Sequence, residues 1–153
     1  MAGQDHCRSG GRRRFFASLV DDLLTFARAE FVLSEEQKDG KTLRWHLEVA
    51  HGSIAHLSES DQVQYIPQEI RSFWDMYVRP VTVPIELEYL WHWFLDLHHS
   101  RGNNGMGPAV ITFQDMQAWM QVTGRKPERF ELDAIRALDR LYLESLNVKN
   151  ISE

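Results

Sequence analysis

Residues 84–145 read PIELEYLWHWFLDLHHSRGNNGMGPAVITFQDMQAWMQVTGRKPERFELDAIRALDRLYLES, and their punctuation predicts three helices. Pro84 opens the first, which runs to about His99; a proline in the first helical turn gives up no hydrogen bond. This helix is apolar on more than one side, through Ile85, Leu87, Tyr89, Leu90, Trp91, Trp93, Phe94 and Leu97. Such a helix lies at the centre of a core or against a partner. Arg101 to Pro108 form a loop rich in Gly and Asn, which tolerate positive φ. Thr112 and Asp115 then have the spacing of a capping box, with Asp a weaker closer than Glu. The helix they start carries Phe113, Met116, Trp119 and Met120 and ends at Gly124, the usual left-handed cap. Pro127 opens the last helix, about Glu128 to Leu146. Ile135, Leu138, Leu141, Tyr142 and Ser145 fall on one side of it; Asp133, Arg136 and Arg140 fall on the other.

Working upstream, Pro67 begins another amphipathic helix. Ile70, Phe73, Trp74, Tyr77 and Val78 follow at helical spacing until Pro80 stops it. Residues 51–61 read as a Ser-rich loop. Around Lys38-Asp39-Gly40-Lys41 the chain turns, and beyond it Leu43, Trp45, Leu47 and Val49 alternate with polar residues. Alternation is the signature of a half-buried strand, with Phe31-Val32-Leu33 as its hairpin partner. The four-residue step from Leu43 to Leu47 fits a short helix equally well. From Arg12 to about Phe31, the residues Phe16, Leu19, Val20, Leu23, Leu24 and Ala27 make one apolar helical face. Residues 1–11 read as a disordered leader. The expectation is a mainly α protein of about four to five helices, with a short β-hairpin near residues 31–50. It divides into the leader, a module at 12–80 and a helical module at 81–153.

Composition limits what such a chain does. A net charge of −5 and a pI near 5.8 argue against a general nucleic-acid binder, which needs a basic face. The dense basic run Arg12-Arg13-Arg14 follows Ser9-Gly10-Gly11 and reads as a solvated arm. A single cysteine, Cys7, excludes an intramolecular disulfide and suits a reducing cytoplasm. Arg12–Arg14 before Phe15–Val20 imitates a signal peptide, but Asp21 and Asp22 interrupt the apolar run. No apolar run approaches the roughly 20 residues that span a bilayer. A soluble, intracellular protein without membrane contact is expected.

No catalytic pattern emerges. Gly102 to Gly107 follow a helix rather than a strand and lack the Lys of a phosphate loop. No Ser elbow, zinc-protease helix or carboxylate pair is present. His92 and Asp96 share a helix face near His98 and His99, but a metal site needs three or four convergent ligands. His46, His51 and His56 are not fixed nearby by anything in the sequence, and histidines near a helix C-terminus are accounted for by the helix dipole. No cofactor, metal site or catalytic residue is expected. Residues 112–146 also outline a helix-turn-helix, the basis of an alternative reading as a DNA-binding regulator. Its recognition helix would begin Glu128-Arg129-Phe130-Glu131, placing two acids where phosphates belong.

In order along 84–146, the combination of landmarks resembles the small tail assembly chaperones of siphophages and related gene transfer agents. The landmarks are Pro84, Trp91 and Phe94; then Leu97, Arg101 and Gly102; then Pro108, Ile111 and Trp119; then Thr123-Gly124; and finally Glu131, Leu138-Asp139 and Tyr142. The resemblance implies a binding protein that coats the tape measure protein and attracts tail tube subunits. It would act in the host cytoplasm and be absent from the finished virion, and it leaves room for self-association. A structural head–tail or tail completion protein is the other phage alternative.

A protein that keeps a long helical partner soluble should offer aromatic and Met surface, which adapts to irregular apolar shapes. Trp93, Met116, Trp119, Met120 and Arg101 are therefore the candidate partner-binding residues. Trp91 and Trp93 stand about 200° apart around a helix. Trp91, the match to the family's Trp, is expected inside, and Trp93 outside.

Overall fold

A computed structural model describes residues 9–149. Within them the chain is mainly helical, with eight α-helices and one short 3-10 turn. They form two compact units: Phe26–Val81 is one, and residues up to Thr25 together with Thr82 onward make the other. The first helix, α1 (Ser9–Leu33), contributes to both. Of the disordered leader read at 1–11, residues 1–8 lie outside the described residues, and Ser9, Gly10 and Gly11 are instead the first residues of α1.

The unit at 26–81 holds the end of α1, α2 (Leu43–Ile54), α3 (Glu59–Tyr65), α4 (Gln68–Arg71) and α5 (Trp74–Val78). Its core is Leu33, Leu43, Leu47, Ile54, Ile66 and Trp74, flanked by Leu57, Ile70, Phe73 and Tyr77. The hairpin expected near 31–50 does not form. Phe31-Val32-Leu33 are the last turn of α1, and residues 43–54 are helical. The alternating residues divide between two helix faces: Leu43 and Leu47 are buried, whereas Trp45 and Val49 are exposed. Local chemistry settles the choice, because Thr42 caps the helix by accepting from the Trp45 N–H at 3.2 Å. All that remains of pairing among the described residues here is an isolated Glu36–Thr42 bridge, closed over Gly40 at φ 75°.

The Ser-rich stretch is likewise not a loop throughout. Its first residues finish α2, and Ser58 caps α3 by accepting from the Asp61 N–H. Glu59 and Asp61 add negative charge where the helix dipole is positive. The single helix expected over 67–78 is split by a tight turn, in which the Phe73 N–H donates to the Ile70 carbonyl at 3.1 Å. Trp74, just beyond the break, is buried. These divisions raise the helix number above the four to five expected.

In the other unit the three-helix expectation holds. A 3-10 turn, Ile85–Leu87, follows Pro84 and leads into α6 (Glu88–Ser100). Next come α7 (Phe113–Thr123) and α8 (Arg129–Lys149), and α6 packs along α8. The capping box is complete: the Asp115 N–H donates to Thr112 Oγ1 at 3.1 Å, and the Thr112 N–H donates to Asp115 Oδ2 at 2.7 Å. The Thr112 N–H and the Thr112 hydroxyl both donate to Asp115 Oδ2, and these two bonds hold the Asp115 carboxyl below its ordinary range. Gly124 ends α7 at φ 69° and donates to the Met120 carbonyl. Leu87, Leu90, Phe94 and Leu97 of the α6 segment are buried, as are Ile135 and Leu138 of α8.

Candidate partner-binding surface

The loop between α6 and α7 is held by one buried ion pair. Arg101 leaves the end of α6, and Asp139 projects from α8; their side chains meet at 2.6 Å and are 6% and 3% exposed. Arg101 also donates through Nη1 to the Ala109 carbonyl at 3.0 Å, and Asp139 Oδ2 accepts from the Ile111 N–H at 2.9 Å. Both ends of the loop are thereby tied to α8. The Nη2 to Oδ1 contact is close but lies outside hydrogen-bond angles. It acts mainly by charge, which is strong where water is excluded. The Arg101 guanidinium lies 4.8 Å from the Tyr142 ring centroid. Arg101, expected at a partner surface, instead spends its charge inside this unit.

His98 sits against the same group. Its ring is perpendicular to Tyr142 with centroids 4.4 Å apart, and it also contacts Phe94. Burial first, then the positive charges of Arg101 and His99, push its pKa down to about 4. The ring is therefore neutral at physiological pH. His92 lies 3.8 Å from Glu88 on the exposed side of α6. Among the described residues no group of three His, Cys, Asp or Glu side chains converges.

A second cluster surrounds Trp93. Its ring centroid is 4.9 Å from that of Tyr89 and 5.4 Å from that of Trp119, and Arg125 lies over it at 5.2 Å. Tyr89 donates to Glu131 Oε1 at 2.6 Å, joining α6 to the first turn of α8. Burial and that carboxylate raise the phenol well above its ordinary value. Trp91 stacks on Phe94 at 5.5 Å. Trp91 and Trp93 are both half-buried, so the expected division into one inside and one outside is not what the helix does. Position 93 is partly sheltered because α7 brings Trp119 over it, a tertiary contact without a local sign in the sequence.

Of the remaining candidates, Met116 and Trp119 are buried at helical spacing on the inner face of α7, and Met120 is half-buried. The apolar residues that do face water are others. Met106 is 97% exposed at the loop tip and Val122 is 88% exposed on α7, while Val110 and Phe113 flank the start of that helix. Phe113 carries the Arg136 guanidinium 4.6 Å from its centroid. Helix phase alone does not find Phe113, because it stands three residues before the buried Met116, the spacing of a shared face.

No helix among the described residues is long and apolar enough to cross a membrane. No curated protein and no solved structure matches the chain. Over residues 79–144, which hold α6, α7 and most of α8, the chain matches the family model of phage tail assembly chaperones, the family whose landmarks its sequence carries.

Proposed function

We propose that this protein is a tail assembly chaperone that binds the tape measure protein and helps recruit tail tube subunits while the tail is being built. The match over residues 79–144 carries the reading. It acts by binding and performs no catalysis, in the cytoplasm of the host cell, and it is left behind when the virion is complete. Its means of binding is apolar surface that its own folding leaves in water. Met106, Val110, Phe113 and Val122 supply such surface; Trp93 on α6 and Met120 on α7 are half-buried. A partner with long helical apolar stripes is the kind of chain such side chains keep soluble.

Co-expression with the tape measure protein of the same phage tests the proposal. The chaperone should keep the tape measure in the soluble fraction and co-purify with it, and should be missing from purified virions. A tape measure that is soluble alone and never captures this chain removes the reading. A chain found stoichiometrically in virions points to a structural tail protein instead.

A further inference from the structure

Between the Ser9–Thr25 part of α1 and α8 lies a groove of about 560 Å³, with all its lining in the unit that also holds α6 and α7. Its apolar lining is of two kinds. Ala17, Ala134 and Ala137 are small, which lets another backbone come close. Phe16, Val20 and Phe130 are large, and the two phenyl rings lie 5.4 Å apart. Among the described residues lining it, the polar side chains are Asp21 and Asp133, both acids. Arg129 bridges Asp133 at 3.2 Å, but that pair is largely exposed and only weakly neutralising. Asp22, next along α1, is exposed as well.

We propose that this groove receives one amphipathic helix of a partner protein, its apolar stripe lying between α1 and α8 and its flanks carrying Lys or Arg. A groove with small and aromatic apolar lining fits an apolar stripe at i, i+3 or i+4, and i+7. Acids at the rim, on a chain of net charge −5, select cationic flanks and repel acidic ones. Identifying that helix with a segment of the tape measure rests on the function proposed above; the groove's own chemistry does not.

The test uses the full chain and two synthetic amphipathic helices of about 18 residues. They share one Leu stripe, flanked by Lys in one and by Glu in the other, and binding is read by fluorescence anisotropy. The Lys-flanked helix should bind at least about tenfold more tightly. Ala17→Arg, at an exposed position, should weaken it by about tenfold or more with unchanged circular dichroism. Asp21→Lys should move the preference toward the Glu-flanked helix. Equal binding of both helices, or a folded Ala17→Arg variant that binds as before, overturns the proposal. So does a wild-type dimer dissolved by Ala17→Arg, which would make a second copy the occupant. Co-purification of the tape measure separates the two readings. If wild type and Ala17→Arg capture it equally, the groove fails and the chaperone stands. If the Lys-flanked helix binds but the tape measure does not, the reverse holds.

Discussion

Arg101 and Asp139 stand 2.6 Å apart with both side chains buried, so the end of α6 and the middle of α8 share one enclosed charge pair. Removing either partner leaves an uncompensated charge away from water, which costs about 3–5 kcal/mol. Arg101→Ala and Asp139→Ala should each cost that much in denaturant unfolding. Asp139→Ala also strands the Ile111 N–H. The double replacement Arg101→Met with Asp139→Leu should cost much less than the sum, because no lone charge remains. A loss below about 1 kcal/mol in Arg101→Ala, together with lost partner binding, would return Arg101 to the partner-binding role expected of it.

The neighbouring His98 gives the unit a pH dependence of definite sign. Its folded pKa of about 4 lies below the ordinary 6.5, so the fold favours the neutral ring. Between those values the unfolded chain binds more protons than the folded one, and stability rises with pH. His98 therefore contributes fully above about pH 6.5, and that contribution is lost as pH falls through about 4. Melting temperature should drop by several degrees across this window, and His98→Gln should flatten the slope whatever it does to absolute stability. Equal slopes in the two proteins would mean that other groups carry the dependence. Asp115, whose carboxyl Thr112 holds below its ordinary range, is one such group.

Legibility followed the reach of the signals. Caps are local, and Thr112, Asp115 and Gly124 act as their spacing predicts. The residues 43–49 misled because a strand's period of two and a helix's step of four share Leu43 and Leu47. Only the Thr42 cap decides between them, and that cap could have been read. Ser58 was legible in the same way, as a cap rather than as a loop residue. The burial of Arg101 was not legible, since its partner lies on another helix and nothing in the local sequence of either residue announces the other. Met116 and Trp119 were partner-binding candidates on chemical character alone, whereas their spacing puts them on one face and the fold buries that face.

The packed face of α8 gives a simple stability prediction. Ile135 and Leu138 are fully buried, and Tyr142 lies half-buried one turn further on. Leu138→Ala removes buried methyl groups and leaves a cavity, so it should cost about 2–5 kcal/mol in denaturant unfolding. Arg140→Ala, on the exposed side, should change stability by no more than about 0.5 kcal/mol. Similar effects at the two positions would contradict the helix phase.

Trp91 and Trp93 separate folding from partner binding, and the structure alters what each should do. Trp93 holds two aromatic contacts, to Tyr89 and Trp119, and lies under Arg125. Aromatic pairs add about 0.5–1.5 kcal/mol each beyond the area they bury. Trp93→Ala should therefore lose about 1–3 kcal/mol from these two pairs alone. It should not behave as the silent surface change its sequence position led us to expect. Trp93→Phe keeps a ring against both neighbours and should stay close to wild type in stability. Binding is then read on that folded variant by tape measure co-purification. If Trp93→Phe melts normally and captures less tape measure, the indole edge is a partner contact. If it melts normally and captures as much, Trp93 is a packing residue, and binding depends on the more exposed Phe113 and Val122. Trp91→Ala, with its stacking on Phe94, serves as the control on the same helix: it should lower stability, and its capture should fall only as far as unfolding explains.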